Sequence, residues 1–235
     1  MGSPANELTL EEDDKANGDE TPQHTVTISK PFYLGKYPVT QAEYVQLTSR
    51  ENPSWFRDRG AGADEVKGMN TNRYPVETIS WVDAASCAEA LQKKLPSHWG
   101  KVRLPSEAMW EYACRAGTIT RWHVGNRLTD AEANFHCGLN RTCAVGCGAS
   151  NAFGLFDMHG NVWQWCSDWY GKYTNDSRTD PEGPNAGTTR AARGGAWLSL
   201  AGDCRSATRE SAPPSSHYTG LGLRLALVVP AENRK

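Results

Sequence analysis

The sequence lacks the features that would place it at once in a membrane, a nucleic-acid complex or a repeat array. No apolar run approaches the ~20 residues that a membrane-spanning helix needs. The formal net charge is -2, so no excess of positive charge favours nucleic acid or an anionic membrane as a partner. No internal repeat and no linker interrupts the 235 residues. These absences predict one domain over residues 1–235, with no nucleic-acid partner and no membrane span.

The sequence also lacks a basic segment followed by an apolar stretch, which a signal peptide would show. Its seven cysteines are an odd number, so they cannot all pair within the chain, and a reducing cytoplasm suits free thiols. For the sequence as given we therefore expect a cytoplasmic location. Surface display is the alternative if a leader preceded the first residue.

The cysteines fall into a scattered group and a clustered group. Cys87 and Cys114 lie in helical patterns and are expected to be buried thiols, and Cys166 with Cys204 is a candidate pair. The other three, with His136, share one loop in the spacing C-x5-C-x3-C, which lacks the tight pair of many zinc sites. Two interpretations stay open for this cluster: a zinc site, or a loop disulfide with a spare thiol or free cysteines. The cluster consists of Cys137, Cys143 and Cys147.

Three serine or threonine residues stand where they can cap helices. Thr40, with Glu43 three residues on, forms a capping box before a helix over residues 42–47. Ser80 precedes a helical pattern over residues 81–95, and Ser106 precedes one over residues 107–115. The acidic stretch over residues 5–20 is expected to be an exposed loop.

Strand signals are short, and turn signals are dense beyond Gly117. With 22 glycines and nine tryptophans, the composition indicates irregular backbone packed around large flat side chains. The sequence predicts an α+β domain with short strands, two to three helices and high loop content. The predicted strands cover residues 25–28, 32–34, 163–165, 193–197 and 222–228.

The C-terminal segment, residues 190–229, combines fixed-looking positions with a stretch that has no period. The fixed positions, which we call the frame, carry glycine, tryptophan and arginine. Between them, residues 198–221, which we call the window, are mostly small and polar and follow neither a helical nor a strand period. A rigid frame around an unpatterned stretch is typical of a presented binding surface. The frame consists of Arg193, Gly194, Gly195, Trp197, Arg205, Arg209 and Arg224.

We expect the window to supply the ligand contacts, because its serine, threonine, tyrosine, glycine and aspartate residues are adaptable contact residues like those of antibody loops. The arginines would hold its ends through their fork geometry. The candidate ligand-binding residues are Leu198, Ser199, Leu200, Ala201, Gly202, Asp203, Thr208, Ser211, Ala212, Ser215, Ser216, His217, Tyr218 and Thr219.

Several motifs along the chain resemble one known family. They are Met-Gly-Ser-Pro at residues 1–4, Glu-Thr-Pro-Gln-His at 20–24, Gly-Lys-Tyr-Pro-Val-Thr at 35–40, Arg-Leu-Pro-Ser-Glu-Ala-Met-Trp-Glu-Tyr-Ala at 103–113, the run at 151–165 and the frame. Taken in order, they are similar to the formylglycine-generating-enzyme type of C-type lectin-like domain. The resemblance covers nearly the whole chain and implies that fold.

The resemblance also implies a copper-dependent cysteine oxidation, which this sequence does not match. The family's enzymes place two cysteines after the Gly-Gly pair, whereas only Cys204 follows it here. A soft copper(I) site needs paired thiolates, so we expect no catalytic residues. The related iron-dependent sulfoxide synthases use a histidine and carboxylate motif on a helical domain that these residues do not contain. All six histidines are expected to be structural or surface residues: His24, His98, His123, His136, His159 and His217.

Family members often bind calcium through a Gly-Asn-Val-Trp-Glu-Trp motif. The matching residues here are Gly-Asn-Val-Trp-Gln-Trp at 160–165. Gln164 replaces the acidic residue, and calcium prefers charged oxygen ligands. We therefore expect no cofactor, with Asn161, Val162 and Gln164 as weak calcium candidates. In the alternative that we favour, Asn161 caps a turn and Gln164 binds backbone.

One branch of the family consists of the variable proteins of bacterial and phage diversity-generating retroelements, whose 3′ coding region is rewritten at adenines. The window matches the variable region in position, after Gly-Gly-x-Trp and before Gly-x-Arg-Leu-Ala. Rewritten Asn codons cannot encode Glu, Gln, Lys, Met or Trp, and the window holds only Glu210 of these types. The hypothesis is a non-enzymatic protein that binds a ligand, expected to be another protein, through a diversified surface. The alternative is an oxidoreductase like the formylglycine-generating enzyme, or an accessory maturation factor.

The window should tolerate substitution, and the frame should not. Alanine at Ser199, Asp203, Ser211, Ser216 or Tyr218 should change the free energy of unfolding by less than ~0.5 kcal/mol each, as surface changes usually do. Trp197→Ala should cost roughly 3–5 kcal/mol, as for a buried aromatic residue, and Arg205→Ala about 1–3 kcal/mol if its partners are buried. Thermal melting of both sets measures this; unfolded window variants beside stable frame variants would show that residues 198–221 are core.

Overall fold

A computed structural model describes residues 1–4 and 18–230 of the chain. In these residues no helix is long and apolar enough to cross a membrane. The helices are α1 (Gln41–Thr48), α2 (Trp81–Gln92) and α3 (Glu107–Arg115). The strands are β1 (Val26–Thr27), β2 (Phe32–Leu34), β3 (Lys101–Arg103), β4 (Trp163–Trp169), β5 (Arg178–Thr179), β6 (Arg190–Arg193), β7 (Arg209–Ala212), β8 (Leu221–Gly222) and β9 (Ala226–Val228).

The three predicted helix caps are confirmed. Thr40 accepts a hydrogen bond from the Glu43 N–H, and the Glu43 side chain accepts one from the Thr40 N–H, which completes the capping box. Ser80 forms the same reciprocal arrangement with Asp83 at the start of α2, and Ser106 caps α3. Helix α2 ends at Gln92, three residues before the predicted end, and a turn leads on to Pro96.

The strands form three small sheets. One pairs β1 with β5, one has the order β2-β9-β3, and the largest has the order β7-β6-β4-β8. In the largest sheet β6 lies antiparallel to both β4 and β7, whereas β8 lies parallel to β4. This mixture of helices and small, short-stranded sheets confirms the predicted α+β class. Strand β7 lies inside the window, where the sequence showed no period.

The first predicted strand is shorter than expected and the one that begins at Trp163 is longer. Two further strand predictions are wrong in their bounds because glycine and arginine interrupt them. The strand predicted over residues 193–197 ends at Arg193, because Gly194 and Gly195 have φ values of 106° and 75° and turn the chain away. A Cβ atom on Gly195 would lie 2.3 Å from the Cys204 Sγ, so no side chain fits there. The strand predicted over residues 222–228 is divided into β8 and β9, with Arg224 between them.

The core is built around three buried tryptophans, and the indole N–H groups of two of them, Trp110 and Trp165, have hydrogen-bond partners. Trp110, Trp122 and Trp165 are fully buried. The Trp165 N–H donates to the Ile79 carbonyl at 3.1 Å, and the Trp110 N–H donates to Gln164 at 2.9 Å. These partners offset the cost of removing the indole nitrogens from water.

The cysteines resolve the alternatives left open by their spacing. Cys143 and Cys147 form a disulfide, and Cys137 is free and exposed. A disulfide leaves neither sulfur as a thiolate for zinc, so the structure favours the second interpretation, a loop disulfide with a spare thiol. The candidate Cys166–Cys204 pair is not formed: both cysteines are free, buried and packed in different apolar clusters. Cys87 and Cys114 are buried free thiols, as predicted.

The predicted exposed acidic loop is corrected at its end. Residues 5–17 lie outside the described part of the chain, whereas Gly18–Glu20 forms a 3₁₀ turn. The Glu20 side chain is fully buried. A local run of acidic residues indicated solvent exposure, but the buried Arg205, 185 residues further along the chain, donates a hydrogen bond to this carboxylate.

Glu77 is a second buried carboxyl group, and in the described part of the chain it is held by hydrogen bonds rather than by an ion pair. Its Oε1 accepts the Phe56 N–H at 2.9 Å and its Oε2 accepts the Thr78 hydroxyl at 2.5 Å. Burial raises the pKa of Glu77 to about 7, against hydrogen bonds that lower it. Thr78 in turn donates its N–H to the Tyr218 carbonyl in the window at 3.0 Å.

Because the folded-state pKa of Glu77 lies above its unfolded value, its contribution to stability is complete at low pH and is lost as the pH rises through about 7. Glu77→Gln should remove up to roughly 2 kcal/mol of the fall in unfolding free energy between pH 5.5 and 8. Urea unfolding at several pH values measures this, with Glu65→Gln, on an exposed residue, as the matched control. Equal pH profiles for both variants would contradict it.

Candidate ligand-binding surface

Arg193, at the end of β6, connects the segment that precedes the window to the middle of the window. Its side chain is fully buried. The guanidinium donates to the Ala207 carbonyl at 2.5 Å, to the Thr208 carbonyl and to the Glu111 carboxylate on α3. One side chain therefore neutralises a buried acid and satisfies two backbone acceptors.

Arg209, the first residue of β7, makes a second connection, between the window and helix α3. It forms a bidentate pair with Glu107, with nitrogen–oxygen distances of 2.9 and 2.7 Å. Its guanidinium also lies over the rings of Tyr170 and Tyr173, with centroid distances of 4.2 and 3.9 Å. Glu107 and Glu111 are four residues apart on α3, so one helix face receives both arginines.

Arg205 and Glu20 form a fully buried bidentate pair with distances of 2.8 and 2.7 Å. The Ser3 hydroxyl also donates to this carboxylate at 2.7 Å. Removing the arginine would leave the buried Glu20 charge uncompensated, a change that typically costs about 3–5 kcal/mol, which is more than the sequence alone led us to expect for Arg205→Ala. The partner is a carboxylate from the start of the chain, which the sequence did not indicate.

Arg224 closes the frame beyond the window. It donates to the Gln164 side chain at 2.8 Å and to the Gly35 and Phe156 carbonyls, both at 2.6 Å. Gln164 binds backbone as well, through its Nε2 and the Asp157 carbonyl at 2.8 Å. This glutamine is therefore a structural partner of the frame.

The calcium candidates do not present a suitable set of ligands. The Gln164 carbonyl oxygen faces the Arg224 guanidinium and the Trp110 N–H. The Asn161 oxygen accepts the Cys143 N–H at 3.0 Å, and its nitrogen donates to the Cys143 carbonyl at 3.2 Å. The Gln164 oxygen lies beside a guanidinium, and the side-chain oxygens of both Gln164 and Asn161 already accept hydrogen bonds. This arrangement disfavours a divalent cation. The absence of a cofactor stays a prediction.

Cys204, the cysteine that matches a copper-binding position, also lacks the required surroundings. It is fully buried, and burial raises its pKa, so the thiol is neutral at pH 7. No second cysteine lies in the window. These residues do not fit a copper(I) site, which needs paired thiolates.

The histidines show no shared ligand geometry. Burial lowers the pKa of His159 to about 3, and its ring stacks on His123 at a centroid distance of 4.7 Å. His136 and His217 are exposed, and His24 packs edge-on against a tyrosine. Within residues 1–4 and 18–230, no group of three or more histidine, cysteine or acidic side chains could hold a metal.

The window backbone is held by main-chain groups from outside it. The His136 N–H donates to the Ser199 carbonyl at 2.8 Å, and the Cys137 N–H donates to the carbonyl of Trp197, directly before the window, at 2.7 Å. The Trp81 N–H donates to the Pro214 carbonyl at 3.0 Å. Because these bonds use backbone carbonyls, they do not depend on which side chains the window carries.

Trp197 fixes both ends of the window to each other. Its indole N–H donates to the Thr219 carbonyl at 3.1 Å, and its ring lies edge-to-face on Phe56 at a centroid distance of 5.3 Å. Trp197 is half-buried rather than fully buried. It therefore packs under the window and closes it as a loop.

The candidate ligand-binding residues divide into exposed and buried groups. Four of them are buried, so their assignment to the ligand-contacting surface is corrected: Ser199, Gly202, Thr208 and Ala212. Their polar atoms face inward; the Ser199 hydroxyl accepts the Ala196 N–H at 3.1 Å, and the Thr208 hydroxyl donates to the Gly202 carbonyl at 2.8 Å. The others are exposed or half-buried: Leu198, Leu200, Ala201, Asp203, Ser211, Ser215, Ser216, His217, Tyr218 and Thr219.

A pocket of about 560 Å³ opens within this surface. Its volume falls in the range of ordinary ligand sites, ~300–1,000 Å³. Residues of strands β4, β6, β7 and β8 line it together with Leu198, His217 and Tyr218 from the loops of the window. The sequence predicted the surface but not the pocket, because the pocket combines residues that are up to 58 positions apart, from Trp163 to Leu221.

Residues 3–229 match a family described as the sulfatase-modifying factor enzyme 1-like domain. The formylglycine-generating enzyme of Streptomyces coelicolor is 30% identical over 88% of this chain and 81% of its own length. The serine/threonine-protein kinase pkn1 of Chlamydia pneumoniae is 31% identical, and the chain spans 34% of that protein. Among solved structures, Treponema denticola variable protein 1 superposes with a TM-score of 0.75 and 28% identity, over 87% of this chain and 86% of that one. The fold is therefore the predicted C-type lectin-like fold of this family.

Two serines of the window should respond differently to alanine. Because Ser199 is buried and the Ala196 N–H would lose its acceptor, Ser199→Ala should lower the free energy of unfolding by about 1–2 kcal/mol, which corrects the smaller effect expected from the sequence. Ser216→Ala, at a half-buried position, should change it by less than ~0.5 kcal/mol. Chemical denaturation of both variants measures this. Equal effects would contradict the division of the window into buried and exposed groups.

Proposed function

The chain belongs to the sulfatase-modifying factor enzyme 1-like family, and we propose that within it the chain is a non-enzymatic protein that binds a ligand through a diversified C-terminal surface. The ligand that we propose is another protein. The observation that carries this proposal is the window: its exposed side chains surround a pocket, whereas its backbone is held by buried arginines and by main-chain bonds from other segments.

Diversification requires that side chains change without loss of the fold. Ten of the candidate residues are exposed or half-buried, and changes at such positions usually alter stability by less than ~0.5 kcal/mol. The near absence of Glu, Gln, Lys, Met and Trp from the window agrees with rewriting at adenines. The similarity to a variable protein supports the same proposal.

The alternative function is an oxidoreductase like the formylglycine-generating enzyme, or an accessory maturation factor. The 30% identity over most of a formylglycine-generating enzyme favours it. The neutral, fully buried Cys204 thiol and the lack of a neighbouring cysteine in the window oppose it. A protein can keep the fold of an enzyme and lack its chemistry, because function depends on the site rather than the fold.

The complete genome of the source organism tests the proposal. We expect a near-repeat of the gene's 3′ end, beside a reverse transcriptase gene, with adenines at the positions that differ. The differing codons should fall on exposed residues such as Leu198, Leu200 and Tyr218 and should spare Arg193, Arg205 and Arg209. A complete genome without such a repeat would overturn the proposal.

Aerobic incubation with copper and a cysteine-containing peptide separates the two functions. We expect the peptide mass to stay unchanged, because no paired thiolates are available to bind copper(I). A genuine formylglycine-generating enzyme under the same conditions is the positive control. Conversion of the peptide cysteine to an aldehyde, lost in Cys204→Ser, would establish the oxidase instead.

A further inference from the structure

The depth of the window pocket comes from small residues in its floor. Ala192, Ala196 and Gly220 line it and are buried, and a Cβ atom on Gly220 would lie 2.8 Å from the Ala196 Cβ. Larger side chains, Trp163 and Leu198, form its apolar walls. A cavity of about 560 Å³ with such a lining accommodates a large apolar side chain together with adjoining backbone.

The pocket is lined by an acidic side chain and by no basic lysine or arginine side chain of the described residues. The acidic side chain is that of Glu210. Partial burial raises the pKa of Glu210, and the carboxylates of Asp203 and Asp19 raise it further. The nearest arginine in the chain, Arg209, is paired with Glu107. The pocket therefore presents a carboxylate that has no cation of its own.

His217 does not change this balance. It lines the pocket, but its Nε2 lies 3.7 Å from Asp83, which is outside the pocket. The acidic residue beside this histidine is therefore Asp83. The unmatched charge beside the apolar walls is negative.

The edge of β7 is closed to an added strand. The Glu210 side chain accepts the N–H of its neighbour Ser211 at 2.7 Å, and two prolines follow the strand directly. An edge that is covered by a side chain and ended by prolines disfavours strand addition. The geometry therefore favours a ligand whose side chains enter the pocket over a ligand that adds a strand to the sheet.

We propose that the pocket binds a basic peptide segment of the protein partner, in which one apolar side chain enters between Trp163, Leu198 and Tyr218 and an adjacent lysine or arginine pairs with Glu210. This inference rests on the proposed function and specifies its ligand. The apolar anchor supplies affinity through burial, and the ion pair selects the charge of the flanking residues.

An array of fluorescein-labelled heptapeptides in a Gly-Ser background tests the proposal directly. The central residue is Leu, Trp or Ser, and its two neighbours are both Lys, both Ser or both Glu. We expect the peptides with an apolar centre and Lys flanks to bind most tightly in fluorescence anisotropy. Equal affinity for Lys and Glu flanks, or no binding by any peptide, would overturn the proposal.

Two variants test the two contacts separately: Glu210 with the flanking lysines of the peptide, and Leu198 with its apolar central residue. Glu210→Gln should weaken the Lys-flanked peptides by roughly 5-fold, the upper range for a partly exposed ion pair, and should leave the Ser-flanked peptides unchanged. Leu198→Asp, at a residue that is 48% exposed, should weaken every peptide with an apolar centre by about 10-fold or more. Glu51→Gln, at an exposed position, is the control and should change nothing.

Charge reversal gives the sharpest outcome. Glu210→Lys should shift the preference from Lys-flanked to Glu-flanked peptides; an unchanged preference would overturn the assignment of Glu210. The results also separate the two proposals. A template repeat in the genome without peptide selectivity rejects the pocket proposal alone, and selective binding without a repeat rejects the proposed diversification alone.

Discussion

The burial of four arginines is the constraint on which the rest of this structure depends. A guanidinium removed from water must meet a carboxylate or several carbonyl oxygens, or the charge is too costly to bury. Arg193 and Arg209 find theirs on α3, and Arg205 finds Glu20 near the start of the chain. The fold can form only when these distant segments come together, so the C-terminal region is fixed to the rest of the protein by charge as well as by apolar packing.

This arrangement separates the part of the C-terminal region that holds the fold from the part that faces solvent. The arginines point inward from the ends of the window and from its middle, and main-chain groups at residues 78, 81 and 136 hold its carbonyls. Neither kind of contact involves the exposed side chains. A surface that is supported from beneath in this way can change its chemistry with little effect on the free energy of folding.

The sequence allowed the local elements to be predicted where local chemistry determines them. Thr40, Ser80 and Ser106 cap the helices, because a hydroxyl that accepts a backbone N–H acts within three residues. It did not reveal Glu20 as a core residue, because the partner is distant in sequence and the neighbouring residues are acidic. Within the candidate site, Ser199 and Thr208 looked like surface residues by type, whereas their hydroxyls satisfy buried backbone groups. Composition identified the surface, and only the fold distinguished which of its residues face outward.

The Gly194–Gly195 turn, where no Cβ atom fits beside Cys204, has a consequence at the level of the gene. Every glycine codon begins with two guanines, and adenine can occur only at the third base, where any change is silent. If the 3′ end of this gene is rewritten at adenines, the residues that can accept no side chain cannot acquire one by that route. The same genetic code that supplies variation to the exposed residues would thus protect the turn that begins the diversified segment.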